Sequence, residues 1–174
     1  RSIPILNTAS KNFLLKIHDG FTIKDAEKIK KLESTTKHDV KAVEYFIKSK
    51  IKKHPILKKY IEHVHICCTS EDINNLSYAM MINQGRLLLK KKMDSLNKLI
   101  LSYVKKYSKN VMISHTHGQI ATPTTMGKEF LNFYSRLSLL SIELSDINIF
   151  GKFNGATGNY SSHSIAFPNV AMVE

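Results

Sequence analysis

EDINNLSYAMMINQGRLLLKKKMDSLNKLILSYVKKY, residues Glu71–Tyr107, is the stretch whose reading decides the fold. Its apolar positions Ile73, Leu76, Met80, Leu87, Leu88, Met93, Leu96, Leu99, Ile100, Tyr103, Val104 and Tyr107 recur at helical spacing. Thr69 and Ser70 stand just ahead with Glu71 and Asp72 beyond, which caps a helix start and suits its dipole. The one interruption, Gly85, costs about 1 kcal/mol relative to alanine and does not by itself end a helix. A helix from about 71 to 107 is some threefold longer than the ~11–12-residue mean. Such length points to an all-α fold, a bundle of long helices whose apolar stripes cover one another.

Downstream, Val111-Met112-Ile113 reads as a short extended piece. It feeds the polar stretch Ser114-His115-Thr116-His117-Gly118-Gln119-Ile120-Ala121-Thr122-Pro123, read as a stiff loop. Pro123 disfavours helix at Thr122, and Thr124 or Thr125 can cap a second long helix from about 124 to 147. Phe130, Phe133, Leu137, Leu140 and Leu144 form its stripe. Gly151, Gly155 and Gly158 then mark an irregular loop from Phe150 to Tyr160.

Upstream, Val64–Cys68 is an apolar patch, and His54-Pro55 closes a helix carried by Val40, Val43, Tyr45, Phe46, Ile47 and Ile51. Pro55 is suited to open a short helix through Leu57 and Tyr60. Thr35-Thr36-Lys37-His38-Asp39 separates that helix from one that starts at Thr22 and runs through Ala26, Ile29 and Leu32. The first twenty residues have mixed character and end on the turn signal Asp19-Gly20.

Composition narrows the function classes. The 174 residues suffice for one ordinary domain, and 43% are apolar, as in a globular protein. No apolar run approaches the roughly 20 residues that span a bilayer. The start, Arg1-Ser2-Ile3-Pro4, has no signal-peptide pattern and no initiator methionine, so the chain reads as trimmed. Adjacent Cys67 and Cys68 read as reduced thiols of a cytoplasmic protein, and their spacing is poor for zinc. The net charge of +12 would suit nucleic acid, an acidic membrane or small anions. Runs such as Lys28-Ile29-Lys30-Lys31 and Lys90-Lys91-Lys92 fall on the outer faces of the expected helices, which favours a solvated surface over a nucleic-acid footprint.

Chemistry-bearing residues cluster at the breaks between helices: Thr35–Asp39, Thr69–Asn75, the His117 loop, and Gly151–Tyr160. Hydroxyls at helix starts bind carboxylates and phosphates, Lys37 and Lys152 add charge, and His38 and His117 can carry protons. In the loop reading, His117 is held in one orientation between the Thr116 hydroxyl and the Gln119 amide. Asn74 and Asn75, unfavourable inside a helix, suggest buried polar contacts or an interface. The set suits acid–base chemistry on a small polyanion. Gly151-x-x-x-Gly155-x-x-Gly158 lacks the spacing and the preceding strand of a nucleotide-binding loop.

The order and wording of these clusters resemble the fumarase/aspartase superfamily, and within it the adenylosuccinate lyase family. Thr36–Phe46 looks like the stretch that opens that family's central helical domain, and Thr69–Asn75 like its first signature. Thr116-His117-Gly118-Gln119 with Ala121, Pro123–Thr125 and Gly127 resembles the second signature, and Gly151–Tyr160 is again similar. The resemblance implies an N-terminal helical domain ending near residue 35 and the front part of a central bundle over residues 36–174.

It also implies β-elimination of adenylosuccinate to AMP and fumarate, together with cleavage of the succinyl-carboxamide ribotide of purine synthesis, with no metal or organic cofactor. His117 would be the catalytic acid. Thr69 and Ser70 would hold the substrate, Lys37, His38 and Asp39 would line the nucleotide side, and Thr116 and Gln119 would flank the acid. The partners would be adenylosuccinate, AMP, fumarate and the other subunits of a homotetramer, whose active sites draw on three chains. Neither nucleic acid nor membrane is expected. Lys37 stands where arginine or asparagine is usual, which would cost a planar bidentate contact. The third signature, with its serine base, is absent, so the chain reads as the front half of a lyase that alone lacks a full site. Argininosuccinate lyase, or a lyase acting on malate, shares the Thr116-His117 wording and is the nearest alternative. A basic nucleic-acid-binding module rests on charge alone.

Overall fold

The computed structural model describes residues 5–170, which divide into two compact units. One runs up to Ser77 and resumes at Gly151; the other is Tyr78–Phe150. All α-helices expected from periodicity are present.

In the first unit, α1 (Thr8–Asp19) starts where the Asn7 side chain accepts the Ser10 N–H at 2.9 Å. It lies in the stretch of mixed character, whose polar positions concealed it. Helix α2 (Ile23–Thr36) begins on a capping box: the Thr22 hydroxyl accepts the Asp25 N–H while the Asp25 carboxylate accepts from Thr22. Lys37 ends it in the left-handed region, φ 54°. His38 then caps α3 (Asp39–Ile51), its Nδ1 accepting the Lys41 N–H at 3.2 Å. Val40, Ala42, Phe46 and Ile51 of α3 form the buried core with Leu57, which opens a 3-10 segment, Leu57–His63.

Glu44, on the same helix and 5% exposed, is surrounded by two lysines and a histidine. Lys41 Nζ lies at 2.8 Å, Lys48 Nζ at 3.0 Å and His65 Nδ1 at 3.0 Å. Three partners for one carboxylate offset the cost of hiding its charge. They also tie the turn at His65 to the middle of α3. The first turns of α4 (Ser70–Lys106), the irregular loop after Gly151 and a short α6 (Ser161–Ala166) complete this unit.

The second unit contains most of α4, a hairpin and α5 (Met126–Asp146). At 1.5 Å per residue, the 37 residues of α4 span about 55 Å. Successive contacts show α5 running back antiparallel along α4: Phe130 packs on Tyr103 and Tyr107, the Ser141 hydroxyl donates to Asp94, and Arg86 donates to the carbonyls of Ser145 and Ile147. Gly127 lets the two helices meet, since a β-carbon there would lie 2.6 Å from the Val104 carbonyl oxygen and 2.7 Å from the Ser108 backbone. Much of both apolar stripes faces outward. Met80, Leu87 and Leu88 of α4, and Phe133 and Leu140 of α5, are each more than half exposed.

The stretch read as a loop is instead a hairpin of β1 (Val111–Thr116) and β2 (Gln119–Thr125). Thr116 pairs with Gln119 across His117 and Gly118, whose φ values of 50° and 75° are the signature of a tight type I′ turn. Between Ile113 and His115 the register shifts, so Ala121 and Thr122 together oppose Ser114 in a bulge. Pro123 pairs with Ile113, which a two-stranded ribbon tolerates because each strand has a free edge. The β-branched run in β2 favours extended backbone over an irregular loop.

Candidate active site

Two of the sequence clusters meet in the first unit. The left-handed turn at Lys37 brings His38 and Asp39 to the start of α3, facing the first turns of α4. His38 Nε2 lies 3.2 Å from the Ser70 hydroxyl, and Asp39 accepts the Asn74 side-chain amide at 2.9 Å. Because His38 Nδ1 accepts a backbone N–H, its neutral ring carries the proton on Nε2 and donates to Ser70. Asp39 sits below the ordinary carboxylate range, first because the Val40 N–H donates to it at 2.7 Å and then because Asn74 does. Lys37, His38 and Asp39 are all exposed. The Lys37 ammonium has no ion-pair partner among the described residues and remains open to an anion.

The Gly151 loop joins the same place through Asp72, which is fully hidden in the first turn of α4. One carboxylate oxygen accepts from Lys152 Nζ at 2.6 Å and the Asn154 N–H at 3.1 Å. The other accepts from the Thr69 N–H at 2.9 Å and the Gly155 N–H at 3.1 Å. Burial pushes the Asp72 carboxyl upward, but Lys152 and the amides of Thr69 and Asn154 outweigh it and hold it at about 2. Asn75 contributes a further tie by accepting the Lys152 N–H at 2.9 Å. Asn74 and Asn75 therefore do make polar contacts, although both side chains are half-buried rather than buried as their placement in a helix suggested. Asp72 and Lys152 were visible in sequence only as a helix-start acid and a loop cation; Thr69-x-x-Asp72 is the capping spacing that marks the acid, and nothing in the sequence pairs it with a residue 80 positions away.

His117 lies in the second unit, exposed at the hairpin turn with Thr116 and Gln119 on either side. None of these three side chains makes a hydrogen bond among the described residues. The expectation that Thr116 and Gln119 clamp the ring is therefore not met: they pair with each other in register, and backbone conformation alone aims His117 outward. Thr69 places only its backbone in the contacts above, leaving its hydroxyl without a hydrogen bond among the described residues. Cys67 and Cys68 are free thiols, and burial followed by the nearby Asp72 charge raises Cys68. No group of three or more histidine, cysteine or acidic side chains is arranged for a metal among the described residues. No described helix is long and apolar enough to cross a membrane.

The His38 ring with its proton on Nε2, the Ser70 hydroxyl at the start of α4 and a Lys37 ammonium without an ion-pair partner among the described residues thus lie together on the first unit. The chain belongs to the lyase family whose model, described as "Lyase", matches residues 7–173. It is 44% identical over 169 residues to an adenylosuccinate lyase of Legionella pneumophila strain Corby, covering 97% of this chain and 37% of that protein. It is 45% identical to the adenylosuccinate lyase of Buchnera aphidicola from Schizaphis graminum (91% and 35%), and 41% identical to that of Escherichia coli K12 (98% and 38%). The chain thus spans little more than a third of the length of these relatives. In fold it is similar to a fumarate lyase from Mesorhizobium sp. BNC1, with TM-score 0.75 and 17% identity over 91% of this chain and 36% of that one. It is also similar to the β-carboxy-cis,cis-muconate cycloisomerase of Acinetobacter calcoaceticus, with TM-score 0.71 and 16% identity over 90% and 36%.

Proposed function

We propose that the protein containing this chain is an adenylosuccinate lyase, splitting adenylosuccinate into AMP and fumarate by β-elimination. A proton leaves the carbon next to a carboxylate, the C–N bond breaks, and the departing nitrogen takes up a proton. The same chemistry applies to the succinyl-carboxamide ribotide. His117 is the acid that protonates the nitrogen. Thr69 and Ser70 hold the succinyl carboxylates, and Lys37, His38 and Asp39 line the nucleotide side, with Thr116 and Gln119 flanking the acid.

The observation that best supports this reading is the meeting of His38 and Asp39 with Ser70 and Asn74. It joins the two sequence motifs most specific to adenylosuccinate lyases at one surface. The outward apolar stripes of α4 and α5 support a homotetramer, since such surface is stable in water only when covered. We place the enzyme in the cytoplasm on the strength of its two free cysteines.

The test is fumarate release from adenylosuccinate by the full-length protein and by its His117→Ala variant. Loss of a positioned acid lowers turnover by about 10²–10⁴-fold with the fold intact. Unchanged turnover would return His117 to the role of a turn residue, and an inactive parent would overturn the substrate assignment.

A further inference from the structure

The carboxylate of Asp72 is the most fully hidden charge among the described residues of the first unit, and it meets the proposed substrate-binding residues only through the backbone amide of Thr69. Its two oxygens divide their work. One holds the loop after Gly151, through the Lys152 ammonium and the Asn154 amide; the other holds the start of α4, through the Thr69 amide, and shares Gly155. Lys152 extends the tie by donating to the Asn154 side chain at 3.2 Å and the Gly155 carbonyl at 2.9 Å. Ser70, next to Thr69 in sequence, is the residue that meets His38.

We propose that Asp72 and Lys152 are positioning residues: a buried latch that locks the Gly151–Gly155 loop onto the first turn of α4 and thereby holds Ser70 against His38. The inference deepens the reading of the site as a lyase site and rests on it for its kinetic consequence. Neither residue takes part in proton transfer. A capping role alone would need only the Thr69 amide, and a surface ion pair would not draw in two loop amides. The latch instead couples two segments 80 residues apart in sequence, so that the hydroxyl at the head of α4 and the loop move as one body.

The chemistry of substitution makes this testable. Asp72→Asn keeps the shape and one acceptor oxygen. If that oxygen stays with Lys152 and the loop, the new NH₂ confronts the Thr69 N–H, donor against donor. Hydrogen bonds to charged groups have magnitudes that translate to roughly tenfold or more in affinity. In the full-length protein, Asp72→Asn is therefore expected to raise the KM for adenylosuccinate by about tenfold while lowering kcat much less. A residue needed only for folding would reduce the active fraction and leave KM alone.

Lys152→Gln should act in the same direction, whereas Lys152→Arg, which keeps the cation, should restore KM to within about threefold of the parent. The double variant Asp72→Asn/Lys152→Gln should be no worse than the poorer single, because the two residues form one unit. Hydrogen exchange gives a readout independent of activity: the segment 151–158 should lose protection in Asp72→Asn and Lys152→Gln while α3 keeps its own. An inactive parent in which the loop still loses protection would overturn the substrate assignment and leave the latch standing. Unchanged KM together with unchanged loop protection in both Asp72→Asn and Lys152→Gln would overturn the latch. Should Asp72→Asn fail to fold, the comparison of Lys152→Gln with Lys152→Arg decides by itself.

Discussion

Replacing Gly127 by alanine tests how closely the two long helices approach. The added β-carbon would lie 2.6 Å from the Val104 carbonyl oxygen and 2.7 Å from Ser108 Cα and N. All three atoms are backbone, so no side chain can swing aside. Restoring ordinary contact near 3.4 Å requires α4 and α5 to part by about 0.8 Å at that level. Overpacking of this kind costs about 1–3 kcal/mol. Replacing a helical glycine returns about 0.5–1 kcal/mol through the unfolded chain, which leaves a net loss of up to about 2.5 kcal/mol.

The same displacement pulls on the base of the hairpin, where the Gly127 N–H donates to the Tyr107 carbonyl and the Met126 N–H to the Asn110 carbonyl, both at 2.9 Å. Urea denaturation of the parent and Gly127→Ala, at equal protein concentration, measures the loss. Gly85→Ala is the internal control: nothing lies within 4 Å of its β-carbon position, so it should gain up to about 1 kcal/mol from helix propensity. A Gly127→Ala protein at least as stable as the parent would refute the close-approach argument.

Three further outcomes follow from the contacts described. Asp25, Glu44 and Asp72 each titrate at about 2 in the fold against ordinary values of 3.8, 4.5 and 3.8, so all three bind protons more weakly folded than unfolded. Their stabilisation is complete above the ordinary values and is lost as pH falls from about 4.5 toward 2; urea midpoints measured from pH 6 down to 3 should drop steeply, and Glu44→Gln should flatten that slope. Arg86→Met removes the donor to the Ser145 and Ile147 carbonyls at the end of α5, and should cost about 1–2 kcal/mol, with faster amide exchange confined to the last turn. Ser70→Ala takes the partner from His38 Nε2 and should raise the KM for adenylosuccinate by roughly tenfold without changing the denaturation midpoint.

Most of the helical framework was legible because its signals are local. The long helix expected over about 71–107 is observed at Ser70–Lys106, and the second, expected over about 124–147, at Met126–Asp146. The helix expected from Thr22 begins with that residue as its cap, and of the two candidates Thr124 and Thr125 it is Thr125 that caps α5. The hairpin was not legible, because its residues are largely exposed and so lack the apolar–polar alternation that marks a half-buried strand. Helix α1 was hidden by the absence of a clear stripe. In the candidate site, residue types at helix starts named His38 and Ser70 but could not say that they touch, and the Asp72–Lys152 pairing spans too many residues for any local pattern.

The two-residue turn at His117 has a consequence for how the molecule can vary. Two residues are the shortest common link between antiparallel strands, and side chains alternate faces with each step along a strand. Inserting or deleting one residue between Thr116 and Gln119 would force a new turn type or rotate one arm of the ribbon by half a period, presenting the opposite set of side chains. Length at this tip is therefore fixed to the residue, whereas the irregular stretch over residues 156–160 has no partner strand to fall out of step with. A library of loop-length variants should divide along that line, tolerant between Ala156 and Tyr160 and intolerant at the tip that carries His117.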